Sequence, residues 1–221
     1  MHLKGKKVLI TGGSSGIGFA IAEATLKLSL EKLGGLDVLV NNAGGVRAGR
    51  LEDTTEAEIR TMIEVNLVAP ILLTRAALPA LRASGDGLVV NVTSGIALVA
   101  APFYATYAGV KGGLSKFGES LRRELNGEGI RVMTVYPGAT DTPMMRSSRA
   151  GPELGFTREP ASAVAAAVIE GIEQDAFEVI RGGEARAKMI ALNREDPAAL
   201  DKRFLDLKPA LAEAVRDHSA L

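Results

Sequence analysis

The 221-residue chain predicts an α/β fold with an open, doubly wound parallel sheet, on three observations. Short apolar runs alternate with longer stretches of helical periodicity. Each run is nearly continuous in apolar residues, as a strand covered on both faces must be. The first run ends in a glycine-rich turn that opens a helical stretch, the start of a nucleotide-binding βαβ unit.

Lys7-Val8-Leu9-Ile10 is the first strand, closed by Thr11-Gly12-Gly13-Ser14-Ser15-Gly16-Ile17-Gly18. Phe19 to Leu28 then carries apolar residues at helical spacing. Leu36 to Val40 is a second buried strand, ending in Asn41-Asn42-Ala43-Gly44. A long helix is expected from about Glu56 to Ala83, with Pro70 and Pro79 as bends. Gly87 to Val92 is a third strand and Tyr104 to Asn126 a second long helix. Ile130 to Val135 is a fourth strand, closed by Tyr136-Pro137-Gly138. A Pro-, Ser-, Arg- and Gly-rich loop leads to a helix from about Ala161 to Gln174, and Phe177 to Ile180 reads as a last short strand. From Gly183 onward the chain is charged and helical in pattern. There is no repeat, low-complexity tract or linker, so residues 1–221 read as a single domain with a helical tail over 183–221.

Composition narrows the chemistry. A hydrophobic content of 47% supports one good core. With 26 basic against 26 acidic residues and no single-sign run, nothing draws the chain to nucleic acid or an anionic membrane. The absence of cysteine excludes disulfides, thiolate metal sites and cysteine catalysis. His2 and His218 stand near opposite ends, against a histidine-centred triad or metal site. The apolar run Val8-Leu9-Ile10 is too short for a signal peptide, and no unbroken run of about eighteen apolar residues occurs. A cytoplasmic protein acting on a small molecule is expected.

In the glycine segment, Gly12 permits a tight turn, Gly16 a close approach of backbone to pyrophosphate, and Gly18 close helix–sheet packing. Ser15 and Ile17 stand between them, and the following helix presents its N-terminus to phosphate. Tyr107 and Lys111 stand four residues apart on a helix and share one face. An ammonium beside a phenol stabilises phenolate and lowers its pKa toward a range useful for proton transfer. Tyr104 lacks such a partner, since Ala108 stands four residues later. Ser94 follows the third strand, thirteen residues before Tyr107. Asn41 to Gly44 and Pro137-Gly138 also follow strands, at the sheet edge where open α/β folds bind ligands.

Bland readings stand beside these. Asn66 could be a helix-surface residue, Asn41 and Asn42 turn residues, and Ser94 a strand end, with Thr93 beside it easily mistaken for the active hydroxyl. Asp37 reads as structural. Met144, Met145 and Phe103 could line a substrate pocket or simply pack.

Taken in order, Thr11 to Gly18, Asn41 to Gly44, Asn66, Ser94, Tyr107-x-x-x-Lys111 and Pro137-Gly-x-x-x-Thr142 resemble the motifs of the classical short-chain dehydrogenase/reductase family, over about residues 3 to 145. The resemblance implies a Rossmann-type fold and an NAD(P)-dependent oxidoreductase that interconverts an alcohol and a carbonyl. It implies Tyr107 as general acid/base and Lys111 as holder of the nicotinamide ribose and modulator of Tyr107. Ser94 would bond the substrate oxygen, and Asn66 would support a proton-relaying water. Gly12, Ser15, Gly16, Ile17, Gly18, Asn42, Ala43 and Gly44 would line NAD or NADP together with Tyr107 and Lys111. Pro137, Gly138 and Thr142 would hold its nicotinamide end. It also implies a homodimer or homotetramer, in keeping with Ile59, Met62, Ile63, Leu67, Ile71, Leu72 and Leu78 on the long helix. Two other readings share the fold: a non-catalytic ligand- or partner-binding relative, and a chain used mainly for assembly.

The chain departs from the family in one place. Only 22 residues separate Gly18 from Asn41, about 40 to 50 fewer than a βαβαβ half-fold needs. The join falls near Leu28-Ser29, and part of the first half of the sheet is expected to be missing. No Asp or Arg can be assigned to the adenosine ribose, so the choice between NAD and NADP is not readable.

Overall fold

Five apolar runs lie side by side in one sheet, every pair parallel: β1 (Val8–Thr11), β2 (Val38–Asn41), β4 (Gly87–Val92), β5 (Ile130–Tyr136) and β8 (Glu178–Ile180), in the order β1-β2-β4-β5-β8. These elements come from a computed structural model that describes residues 1–12 and 34–221. The helix expected over Phe19 to Leu28, and Ser15, Gly16, Ile17 and Gly18 with it, lie outside the described residues.

Register and side-chain alternation explain why the runs are apolar throughout. Leu39 pairs with Val89 and Val89 with Val132; these three pack on one face with Leu73, Ala77, Leu81 and Leu121. Val38, Val90 and Met133 point the other way, packing with Ile172 and the half-buried Leu3 and Val168. Period-2 alternation therefore feeds two cores. The first is covered by α2 (Ala69–Ala83) and α3 (Ala105–Glu124), the second by α4 (Ala161–Glu173).

β1 lies at the edge, directly beside β2. Among the described residues nothing pairs with its outer side, and Ile10 is 63% exposed. Among the described residues the sheet is thus short on the side where the interval before Asn41 is short.

The long helix expected from Glu56 to Ala83 is helical throughout but changes winding. α1 (Glu56–Ile63) starts with a reciprocal cap: Glu58 N–H donates to the Thr55 hydroxyl and Thr55 N–H to the Glu58 carboxylate. A π-helical turn, Glu64–Val68, follows before α2. Pro70 has no N–H to offer the Asn66 carbonyl four residues back, so regular α-winding cannot close there. The wider turn carries Asn66 inward. Pro79 lies inside α2 without ending it. By length and composition the 56–83 run could cross a membrane, yet here Leu73, Ala77 and Leu81 pack it onto the sheet.

The region after Gly183 is helical as expected, in α5 (Gly183–Glu195) and α6 (Pro197–Val215), the latter capped by Asp196. It does not stay helical. Residues Ser219–Ala220 form β9, antiparallel to β3 (Val46–Arg47). A third cluster gathers there, with Val46, Tyr104, Leu154, Leu211 and Val215 buried together. β6 (Thr140–Asp141) and β7 (Glu159–Pro160) form a separate small pair.

Candidate active site

The carboxyl ends of β1, β2, β4 and β5, where the topology puts ligands, open into a cleft that continues down one face of the sheet past Val40, Val38 and Val8, about 950 Å³ in all. Ser94 lies just past β4, in extended backbone. The Gly95 N–H donates to the Pro137 carbonyl at 2.7 Å, tying this turn to the end of β5. The Ser94 hydroxyl accepts from Ile96 N–H at 3.3 Å and lies close to the Tyr107 phenol. Its neighbour Thr93 is turned inward and donates to the Val135 carbonyl, so the hydroxyl in the cleft is that of Ser94.

Tyr107 and Lys111 share a face of α3 as their spacing requires. Lys111 is only 3% exposed. Its ammonium donates to the Val92 carbonyl at 3.2 Å and lies 5.8 Å from the centre of the Tyr107 ring. Burial pushes Lys111 down to about 8. Burial also pushes the Tyr107 phenol up to about 12, against a downward pull from Ser94. The expected lowering of Tyr107 by Lys111 is therefore not what the geometry delivers. The ammonium points to a backbone carbonyl, and loss of solvent dominates both groups.

Asn66 is fully buried, which removes the helix-surface reading. Its amide donates to the carbonyls of Gly45 and Met62, and its oxygen accepts from Gly45 N–H. Gly44 lies between Asn66 and Lys111. A Cβ there would stand 2.8 Å from Asn66 Oδ1 and 3.2 Å from Lys111 Nζ, so glycine is what permits this approach.

The two asparagines before it part company. Asn41 is buried and donates to Thr74 and to Asn91, locking the β2 end to the core rather than making a surface turn. Asn42 is exposed and lines the cleft with Ala43, Gly44 and Gly12. A Cβ on Gly12 would meet Asn42 Nδ2 at 2.5 Å. Thr11 organises this turn: its hydroxyl accepts from Asn42 and Ala43 N–H at 3.1 and 3.2 Å and donates to the Val40 carbonyl. That hydroxyl was visible in the glycine motif, but its partners thirty residues on were not.

Pro137, Gly138 and Thr142 line the same cleft, as do Met144 and Met145. Phe103 does not line it. It takes a left-handed backbone (φ 71) and packs into the third cluster beside Tyr104. Tyr104 is buried against Phe156 and His218, and burial raises its phenol far above the usual range. Asp37 accepts from Lys7 N–H and pairs with Lys6, and does not itself line the cleft.

Two lining residues escape sequence reasoning. His218 is 1% exposed, bonds Ser147 through Nδ1 at 3.0 Å, and is pushed below its ordinary value chiefly by burial. Arg186 reaches in from α5. Both arrive through the C-terminal return, for which no local pattern exists; Gly182-Gly183 before α5 was the one available signal.

The profile of the short chain dehydrogenase family matches residues 23–153. The chain is 32% identical to a ketoacyl reductase, HetN, of Nostoc, over 82% of this chain and 65% of that protein. It is 31% identical to the 3-oxoacyl-[acyl-carrier-protein] reductase FabG of Vibrio cholerae, over 75% of this chain and 90% of that protein. The FabG alignment runs over 221 positions while drawing on 75% of this chain, so the relative carries residues with no counterpart here. Across its curated relatives the chain spans from 48% to 90% of their length. A short-chain dehydrogenase from Burkholderia cenocepacia, solved in complex with NADP, superposes with a TM-score of 0.71 at 28% identity, covering 85% of this chain and 76% of that one. A short-chain dehydrogenase from Streptomyces avermitilis gives 0.69 at 26% identity, covering 86% and 76%. With its parallel sheet and the cleft at its carboxyl edge, the chain belongs to the short-chain dehydrogenase family of NAD(P)-dependent oxidoreductases.

Proposed function

We propose that this chain is a cytoplasmic NAD(P)-dependent oxidoreductase that interconverts an alcohol and a carbonyl, with Tyr107 as the proton-transferring group. The observation that supports this is the meeting of Ser94, Tyr107 and Lys111 in one cleft from two separate elements, with Asn66 buried behind Gly44 beside Lys111.

The residues present fit the nicotinamide end of a dinucleotide. Lys111 is a nearly inaccessible cation whose hydrogen bond is to one backbone carbonyl, leaving donors for ribose hydroxyls. Gly44 and Gly12 keep the floor of the cleft free of side chain. When bound, the cofactor supplies or accepts the hydride.

In reduction, Ser94 orients the substrate carbonyl oxygen and donates toward the charge that develops there. Tyr107, protonated at neutral pH, delivers its proton to the same oxygen. In oxidation the phenol must first lose that proton, which its burial opposes and the Ser94 hydroxyl favours, while Lys111, charged below about pH 8, would hold the ribose. Asn66 acts at one remove. Its amide side chain is spent on Gly45 and Met62. The lack of an N–H at Pro70 leaves its main-chain carbonyl suited to a water relaying protons to Lys111.

The apolar helix 56–83, with Ile63 exposed and Ile59, Leu67 and Ile71 half-buried, supports a homodimer or homotetramer. The test of function is oxidation of NADH and NADPH by the purified protein across a panel of ketones, aldehydes and oxo acids. Turnover that disappears in Tyr107→Phe supports the reading; cofactor binding with no turnover of any carbonyl overturns it.

A further inference from the structure

Arg186 takes no part in the proton chemistry, yet the fold is shaped around it. It rises from the first turn of α5 and lays its guanidinium over the Gly95 peptide, beside Ser94. Nη1 is 3.4 Å from the Gly95 carbonyl oxygen. A Cβ on Gly95 would lie 2.8 Å from both Cζ and Nη2 of Arg186, so a side chain there would expel the guanidinium. The base of the side chain is held in a similar way. Gly182 caps α5 in the left-handed region, and a Cβ on it would stand 3.0 Å from the Arg186 Cβ. Two glycines from distant parts of the chain make room for one arginine.

Among the described residues the guanidinium meets no carboxylate. Burial alone pushes its pKa down, with no acidic neighbour opposing it. Among the described residues, Lys111 and Arg186 line the cleft and no carboxylate does. A partly desolvated cation is costly unless it meets an opposite charge, and the planar fork of arginine matches a carboxylate with two parallel hydrogen bonds. The nearby walls, Ile96, Met189 and Phe204, are apolar and suit a short hydrocarbon tail.

We propose that Arg186 holds a carboxylate of the substrate, so that the substrates are short oxo acids and the matching hydroxy acids. This rests on the alcohol–carbonyl reading above. Ser94 and Gly95 are consecutive in the chain and the guanidinium lies at Gly95, which calls for an acid group close to the reacting carbonyl.

The test compares 3-oxohexanoate with methyl 3-oxohexanoate, the same carbonyl with and without the charge. The wild type should favour the acid by about 10- to 100-fold in kcat/KM, mainly through KM, as a charged hydrogen-bonded pair provides. Arg186→Met should bring the acid-to-ester ratio close to one, and Arg186→Lys should keep part of the preference. Calorimetry gives a readout without turnover: with NADP+ present, hexanoate should bind the wild type and hexanamide should not. An ester reduced as well as the acid, or a preference that survives in Arg186→Met, overturns the proposal. So does a loss of NADPH affinity in Arg186→Met, which would assign the arginine to the dinucleotide. If neutral ketones are reduced and oxo acids are not, Arg186 loses this role while the oxidoreductase reading stands. If protein that binds NADPH reduces no carbonyl of either charge, the function proposed above is the one that fails.

Discussion

The Lys111 ammonium lies 5.8 Å from the centre of the Tyr107 ring and bonds the Val92 carbonyl, not the phenol. Burial therefore governs both groups, moving Tyr107 up to about 12 and Lys111 down to about 8. A phenol held that high keeps its proton at neutral pH, so the acid form needed for reduction is present, while the phenolate needed for oxidation is scarce. Tyr107→Phe removes only the oxygen and keeps the ring. Carbonyl reduction should fall by at least roughly a hundredfold, the usual scale for losing a general acid, while NADPH affinity changes little. Fluorescence titration beside steady-state rates checks both, and a variant that keeps most of its turnover would remove Tyr107 from the mechanism.

Lys111 should be a residue that activity needs and stability does not. Its folded value of about 8 lies below the ordinary 10.5, so between those two pH values the unfolded chain binds more protons and stability rises with pH. Below about pH 8 the full cost of the buried charge is present, on the order of 3 kcal/mol. Lys111→Met should thus be inactive, yet melt roughly 5 °C or more above the wild type at pH 7. The gap should shrink toward pH 10.5, where the lysine is neutral in both states. Thermal denaturation at several pH values measures this; a variant that melts lower at pH 7 contradicts it.

Gly44→Ala tests the floor of the cleft. The added methyl would press on Asn66 Oδ1 and Lys111 Nζ, neither of which can retreat into solvent. Overpacking of this kind costs about 1–3 kcal/mol, and the displaced ammonium should lower turnover by more than the stability loss explains. The check is activity at a temperature where the variant is fully folded. Wild-type kcat there would mean that Gly44 is not needed for the approach.

Cofactor choice is expected to be weak. Among the described residues β1 forms the edge of the sheet, and the sequence of the short interval after it offers no Asp or Arg assignable to the adenosine ribose. NADH and NADPH should bind with affinities within about tenfold of each other, since no described residue is placed to pair with a 2′-hydroxyl or repel a 2′-phosphate. Titration with both on protein of verified mass decides it, and strong selectivity would show that another part of the chain reads the adenosine.

What sequence could and could not reveal follows the range of the interactions. The strands were legible because period and composition are local, and Tyr107 and Lys111 because four residues on a helix is a local distance. The outward-facing β1 was legible too, from a count of residues. The π turn at Asn66 needed both Pro70 and a buried destination for the amide, and only the first is visible in sequence. Between lining a pocket and packing, sequence could not decide for Met144, Met145 and Phe103; Phe103 packs in the third cluster while the two methionines line the cleft. Arg186 and His218 reach the site from elements whose positions depend on the whole fold.

A strand of only two residues joins distant parts of the chain. β9 pairs Ala220 with Val46, and the Ala220 carbonyl passes 2.8 Å from where a Gly45 Cβ would be. Such a contact has a high loop-closure cost and little surface of its own, so it should form late in folding and open early on heating. The wall carrying His218 would then exchange its amides with solvent faster than the sheet carrying Lys111. Access to the substrate end would be governed by fraying of a two-residue strand while the proton-transfer end stays shut. The two ends of one cleft would run on separate clocks.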